Sequence, residues 1–397
     1  MYCKNTSVSD KYLLNRSDQV KDQTAEQIRQ IRTIAINNKL DNLDEFDIAK
    51  YGRRNFENFI NAVEKQISKT IAEIIKDLIL IKQTDEMNGK DAWEEIYERL
   101  CTFNEIVEIC QNNALTRKQK SNNLYRIFYA LDRMNGHNHG ETKYNIIVRT
   151  FSGFLKSIAE RPGEWADCAP LSLGYYFTAQ ALGLDTKLYA AQIWDNKRGY
   201  VGHVFGMAEG MSIENTSKKR NEKAEKYNVR EINPDELIAE RLSFGIEELM
   251  DSEINGEPRQ GVTTEDILHR VNIAKEFLPY AQNNVALNTN LAWGYKRLAV
   301  DYIQGKIAEQ NVSLYEYLQN SMWHRAKETE ALLNIYKELA NMTVFIDKHL
   351  RIREILKEIN RCYRDLKESN NFWRQHQQPE MTDIEVILQE CGNLFPN

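Results

Sequence analysis

Between residues 55 and 82, "NFENFINAVEKQISKTIAEIIKDLILIK", apolar side chains recur at steps of three and four: Phe56, Ile60, Val63, Ile67, Ile71, Ile74, Leu78 and Ile81. That spacing places them on one face of an α-helix and predicts a long amphipathic helix over the stretch. "AWEEIYERLCTFNEIVEIC" and "NLYRIFYALDRM" continue in the same style, so residues 20 to 160 read as helices meeting through apolar stripes. From about 161 the pattern changes. "RPGEWADC" reads as a loop, and residues 171 to 182 as a helix stopped by Gly183, where helices favour a left-handed residue. Three short strands are predicted next, "TKLYAAQIW" from 186, "HVFGMA" from 203 and "MSIENTS" from 211, separated by the turn residues of "DNKRGYVG" and "EG".

Residues 218 to 230, "KKRNEKAEKYNVR", read as a charged excursion, and the polar stretch that ends in "NGEPRQG" near 262 as a linker. The "TTED" signature at Thr264 then predicts a capped helix start. Leu291, Tyr295, Leu298 and Tyr302 form the next apolar stripe, and long helical patterns run on to the end in the manner of stacked helical hairpins. The expected organisation is an N-terminal helical region, 1–140, an α+β core with a charged insertion, 141–262, and a C-terminal, repeat-like helical region, 263–397. The fold class is α+β and predominantly helical: one helix plus a small antiparallel sheet, flanked by helical regions.

Composition narrows the function. A chain of 397 residues has room for two or three domains, and 42% hydrophobic with 28% charged residues is ordinary for a globular protein. A net charge of −6 argues against nucleic-acid binding, which needs a surplus of Lys and Arg on one face. No apolar run is long enough to span a membrane, and the N-terminus lacks the apolar region of a secretion signal. A cytoplasmic protein is expected, either in its own cell or in a host cell reached without such a signal. The 6 cysteines show no CxxC spacing, so neither a disulfide framework nor a zinc knuckle is indicated. Cys101 and Cys110 fall within helical stripes as core residues. "GHNHGE" brings His137, His139 and Glu141 together without a distant third ligand, and no phosphate loop or dinucleotide fingerprint occurs, so no metal and no cofactor is expected.

Candidate chemistry sits in the middle of the chain. A thiol attacks as thiolate, and the unpaired N–H groups of a helix N-terminus favour that form. Cys168 stands at such a start. A histidine within reach serves as its base, and a polar third group orients the imidazole. His203 opens the predicted second strand. If a two-residue turn centres on Glu209-Gly210, then 208 pairs with 211 and 205 with 214, so His203, Phe205 and Glu214 share a face. A turn one residue longer or shorter makes Asn215 the third member instead.

The stretches "GEWADCAPLSLGYYFTAQALGL" and "GHVFGMAEGMSIENTS" resemble the transglutaminase-like superfamily, whose fold belongs with the papain-like cysteine enzymes. That family places a Cys at a helix start, a His beginning a strand after a glycine, and an acidic residue before a Thr in the next strand. Cys168, His203 and Glu214-Asn215-Thr216 match in that order, over roughly residues 161 to 217. The resemblance implies a cysteine hydrolase or thiol protease acting on an amide bond of a protein or peptide substrate. Cys168 is then the nucleophile, His203 the base and later the acid, and Glu214 the orienting group. Water as second nucleophile makes a peptidase or deamidase; an amine makes a transamidase. The chain departs from the family in having Glu for the usual Asp and Pro170 just after the thiol, which delays the expected helix start. It also lacks an upstream Gln for an oxyanion hole; the backbone N–H near Cys168 and the indole of Trp165 are the donors at hand. The alternative reading is a non-catalytic helical protein-binding scaffold around a disused core.

Overall fold

The computed structural model describes residues 18–40, 43, 46, 48–84, 91–111, 115–134, 150–160, 168–195, 199–213, 226–251, 257–258, 261–307, 313–343 and 348–395. Its helices up to the sheet are α1 (Asp18–Asn37), α2 (Ile48–Tyr51), α3 (Arg53–Gln66), α4 (Lys69–Thr84), α5 (Ala92–Cys110), α6 (Arg117–Met134), α7 (Phe151–Glu160) and α8 (Cys168–Ala181). Strands β1 (Thr186–Asp195), β2 (Gly199–Ala208), β3 (Met211–Ile213) and β4 (Lys226–Ile232) follow, then α9 (Pro234–Leu249) and the two-residue strands β5 (Met250–Asp251) and β6 (Glu257–Pro258). The chain ends in α10 (Thr264–Phe277), α11 (Val285–Ile303), α12 (Leu314–Asn341), α13 (Lys348–Gln375) and α14 (Thr382–Leu394). A predominantly helical protein with one small four-stranded antiparallel sheet is therefore observed. It divides into two compact units, residues 1–189 with 204–221, and residues 190–203 with 222–397.

The first unit is built round α8. Residues 169 to 175 and 177 to 179 are all buried, while Cys168, Tyr176 and Gln180 are half-buried and Ala181 is exposed. Helices α4 to α7 contact it. Phe177 meets Phe151 of α7 with ring centroids 4.7 Å apart, and Tyr175 meets Phe128 of α6 edge-on at 5.5 Å. Such pairs add to the burial of large apolar area. At Gly174 the packing leaves no room for a side chain: a Cβ there would lie 2.4 Å from Phe154. The helix ends as expected, with Gly183 at φ +69° and the N–H of Leu184 donating to the carbonyl of Ala179. Its start does not lie at 171. The first helical residue is Cys168, because Pro170 falls in the first turn, where N–H groups have no helical acceptor and a proline costs little.

The apolar stripe of residues 55 to 82 belongs to two helices rather than one. Ile67 leaves helical geometry (φ −116°, ψ −81°), and the Ser68 hydroxyl accepts the N–H of Ile71 at 3.2 Å, capping α4. The heptad-like spacing runs through the break, which is why it conceals it. In the middle of the chain, two elements appear where a charged excursion and a linker were expected. β4 covers part of the excursion, and α9 fills most of the supposed linker, burying Leu237, Ile238, Ala239 and Ile246. Its start carries a legible signal: Asn233 accepts the N–H of Glu236 at 2.8 Å, Pro234 takes the first helical position, and Asp235 and Glu236 follow.

Strand order in the sheet is β3-β2-β1-β4. The turn of the β2–β3 hairpin is Glu209-Gly210, both left-handed at φ 48° and 77°, and Ala208 pairs with Met211 as the two-residue turn predicts. Glu209 is held in that strained turn by its carboxylate, which accepts the N–H of Asp185 at 2.9 Å and pairs with Arg117 of α6. β1 and β2 each run from one unit into the other: 186–189 and 204–208 belong to the first, 190–195 and 199–203 to the second.

Apolar stripes and buried charge together organise the second unit. Its α10 starts with a full capping box, Thr263 against Asp266, one residue before the expected Thr264. In α11, Leu287, Leu291 and Leu298 are fully buried and Tyr295 nearly so. Arg325 of α12 pairs with Glu328 and, at 2.9 Å, with Asp365 of α13; Arg361 of α13 reaches back to Glu328 at 3.0 Å. His324 is buried beside them, bonded through Nδ1 to Asn288 at 3.0 Å and stacked on Tyr295.

Two buried titratable groups give the units opposite responses to pH. Asp77 on α4 caps the start of α7 by accepting the Ser152 N–H at 3.0 Å, and burial pushes its carboxyl up to about 7. The native state holds that proton more tightly than the unfolded chain, so the stabilisation is complete below pH ~4 and is lost as pH rises through about 7. Burial, with Lys275 nearby as the lesser cause, holds the His324 imidazole down to about 3. Its contribution is present above pH ~6.5 and is lost as pH falls through about 3. Each effect is on the order of a few kcal/mol. Hydrogen exchange at pH 5 and 7.5, corrected for intrinsic rates, should show α4 and α7 better protected at the lower pH and α11 and α12 at the higher. Asp77→Asn, which keeps an acceptor for Ser152, should flatten the first response and leave the second unchanged.

Candidate functional site

Cys168 is the first residue of α8 and is half-buried. Ser172 and Tyr175 follow it at i+4 and i+7, so the three share one stripe of the helix. That stripe faces the β2–β3 hairpin. The Ser172 hydroxyl donates to the carbonyl of Val204 at 3.1 Å, and the Tyr175 hydroxyl to the carbonyl of Met211 at 3.2 Å. Burial raises the Tyr175 phenol well above its ordinary range, so it acts here as a neutral donor. Helix and strand approach so closely that β2 needs a glycine: a Cβ on Gly206 would lie 3.0 Å from the Ser172 carbonyl and 3.1 Å from the Tyr175 ring.

The described cysteines differ in burial. Cys101, Cys110, Cys362 and Cys391 are buried, and Cys168 is not. Desolvation pushes the thiol of Cys110 up to about 12 and that of Cys391 up to about 11. Cys362 is raised as well, by burial first and by Glu328 beside it. These thiols are inert packing, as expected for Cys101 and Cys110 from their helical stripes. No cysteine among the described residues is in a disulfide.

His203 is buried, at 7% exposure, and belongs to the second unit, whereas Cys168 belongs to the first. It is the fifth residue of β2 rather than its opening residue, because the strand begins at Gly199, inside the stretch that reads as turn chemistry. Strand alternation assigns its face. Gly206 presents its Cα hydrogens to α8, so Val204 and Ala208 lie on the helix side, and His203 lies with Phe205 on the other. Phe205 stacks on Tyr189 of β1, centroids 5.3 Å apart, and marks that face as packed too.

Glu214, Asn215 and Thr216 lie outside the described residues, as do Trp165, His137, His139 and Glu141. The hairpin is described as far as Gly206 opposite Ile213. Among the described residues no group of His, Cys, Asp or Glu is arranged to hold a metal, and no helix is long and apolar enough to cross a membrane. What sequence reading missed is the pair Ser172 and Gly206. The signal was present: a hydroxyl one turn after the thiol, and a glycine inside a strand.

No family model matches the chain, and no curated protein or solved structure matches it.

The Gly206 contact should be sensitive to a single methyl group. Gly206→Ala must displace either the Ser172 backbone or the Tyr175 ring, at a cost of about 1–3 kcal/mol. Urea unfolding measures that loss, and Tyr175→Leu in the same chain should recover part of it by clearing the ring; full additivity would show that the two do not touch.

Proposed function

We propose that this protein is a thiol enzyme acting on an amide bond of a protein or peptide, with Cys168 as nucleophile, His203 as base and then acid, and Glu214 orienting the imidazole. The observation that carries the reading is the placement of Cys168: the first residue of a helix, on its sheet-facing stripe, and the single half-buried thiol among described cysteines that are otherwise buried. The helix start favours thiolate, as a nucleophile requires. In this mechanism the sulfur bonds to the substrate carbonyl carbon, His203 passes the thiol proton to the leaving amine, and a thioester remains. Water or a second amine then attacks that thioester and releases the thiol. The resemblance to the transglutaminase-like superfamily, and hence to a papain-like fold, belongs to the same proposal.

A second reading is favoured by the face parity of β2. A base on the α8 side of that strand would occupy an even position, and His203 occupies an odd one. On this reading the thiol and the histidine are packing residues of a disused core, and the helical flanks form a protein-binding scaffold.

Thiol alkylation separates the two. Iodoacetamide at pH 6, well below the ~8.5 of an ordinary thiol, should label Cys168 far ahead of the other cysteines. His203→Ala should slow that labelling strongly, and Glu214→Gln partially. Equal labelling of all cysteines at pH 6 sinks the enzyme reading. Fast labelling that is indifferent to His203→Ala keeps the helix-start thiol and removes the histidine as its base. If Asn215→Ala slows the reaction while Glu214→Ala does not, the third member is Asn215.

A further inference from the structure

One sector of α13 carries cations and apolar side chains and no carboxylate. At about 100° per residue, the cations Arg353, Lys357, Arg364 and Lys367 fall within one sector of the helix, together with the imidazole of His349. Ile352, Leu356 and Tyr363 share it, next to the core stripe of Ile355, Ile359, Cys362 and Leu366. The acids of the same helix, Glu354, Glu358, Asp365 and Glu368, fall outside it. In a chain of net charge −6, so basic a strip runs against the overall balance.

Part of the sector forms a shallow groove. Phe395, just past the end of α14, stacks on Tyr363 with centroids 6.2 Å apart. It walls an open groove of about 430 Å³ whose floor includes Ile352 and Leu356 and whose rim includes His349, Arg353 and Lys357. The rim cations are available. Lys357 is bonded to Glu354 of its own helix at 2.7 Å, with both side chains well exposed, a pair that contributes little. Lys367 lies over the Tyr363 ring at 5.5 Å and keeps its charge at the surface.

We propose that this groove docks an acidic amphipathic helix of a partner protein, its apolar anchors on Ile352, Leu356 and Phe395 and its carboxylates against Arg353, Lys357 and Lys367. Two observations select that occupant. The charge along the sector is predominantly positive, with Glu354 offsetting Lys357 alone, so complementarity favours carboxylates. The apolar residues are partly buried and packed against the core of the second unit, which suits a ridge laid along them better than a bilayer, where apolar side chains must protrude. From 349 to 367 the sector is about 27 Å long, the span of about five helical turns. This inference is independent of the chemistry proposed for Cys168.

A fluorescent synthetic peptide of about 18 residues, with Leu and Phe at helical i, i+3, i+4 and i+7 positions and Glu beside them, tests it by anisotropy against the full chain. Saturable binding is expected, weakened by salt and weakened about tenfold or more by Arg353→Glu with Lys357→Glu. Both positions are exposed, and unchanged circular dichroism and unfolding midpoint confirm that the double variant folds. The same peptide with Lys in place of Glu should not bind. The proposal is overturned if the acidic peptide fails to bind, if the lysine peptide binds equally, or if the double variant binds as well as the parent. It is equally overturned if phosphatidylserine vesicles bind and the peptide does not, or if sedimentation shows a self-association that the double variant abolishes; these assign the face to a membrane or to a second copy.

Discussion

A helix buried along most of its length can exist in water only if other elements enclose most of its surface, and α8 imposes that demand on the first unit. Helices α4 to α7 cover it on one side and the β2–β3 hairpin on the other. The enclosure is tight enough to require glycine at two places. Gly174 lets the Phe154 ring approach the helix backbone, and Gly206 lets the helix approach the strand. Neither glycine is needed for a turn; both exist because close packing leaves no volume for a methyl group. Everything that can be said of Cys168 follows from this arrangement. The thiol stands where it does because it begins the helix that the unit encloses.

Burial has a second consequence, in polar groups that cannot be left in an apolar interior without partners. Asp77 meets this in part, one carboxylate oxygen capping α7 and so tying a helix of the enclosing layer to α4, while burial holds its proton on up to about pH 7. The second unit resolves it with charge. Arg325, Glu328, Arg361 and Asp365 bond α12 to α13 through an ionic cluster whose inner members are fully desolvated. Such a cluster contributes modest net stability, because desolvation offsets most of the attraction. Its effect is on register: shifting either helix by one turn would strand a buried charge. The same α13 turns a different sector outward, and there its cations are exposed to solvent.

Periodicity alone made most of the helices legible, along with the Gly183 stop, the β1 strand and the two-residue turn at Glu209-Gly210. Each is a local matter. Helix faces repeat at three and four, and a turn with two left-handed residues constrains the pairing on either side of it. The failures were also local in appearance. The stripe from 55 to 82 continues across Ser68, and only the hydroxyl that caps α4 reveals the break. The polar surface of α9 resembled a linker, although "NPDE" announced a helix start. Pro170 suggested a delayed α8, but a proline in a first turn removes no hydrogen bond.

For the candidate site, the sequence by itself determined the order of Cys168, His203 and Glu214, the existence of a helix after the thiol, and the pairing of Ala208 with Met211. Those depend on residue type and spacing over a few positions. It marked Cys101 and Cys110 as core residues by their helical stripes, but did not determine how deeply Cys168, Cys362 and Cys391 are buried. Desolvation of a side chain depends on what packs over it, and that comes from segments far away in the chain. Nor did it determine which face of β2 meets α8. Alternation makes two faces, and only the contact at Gly206 says which one the helix covers. Tertiary structure decided both points, since they are questions of what lies opposite a residue rather than beside it.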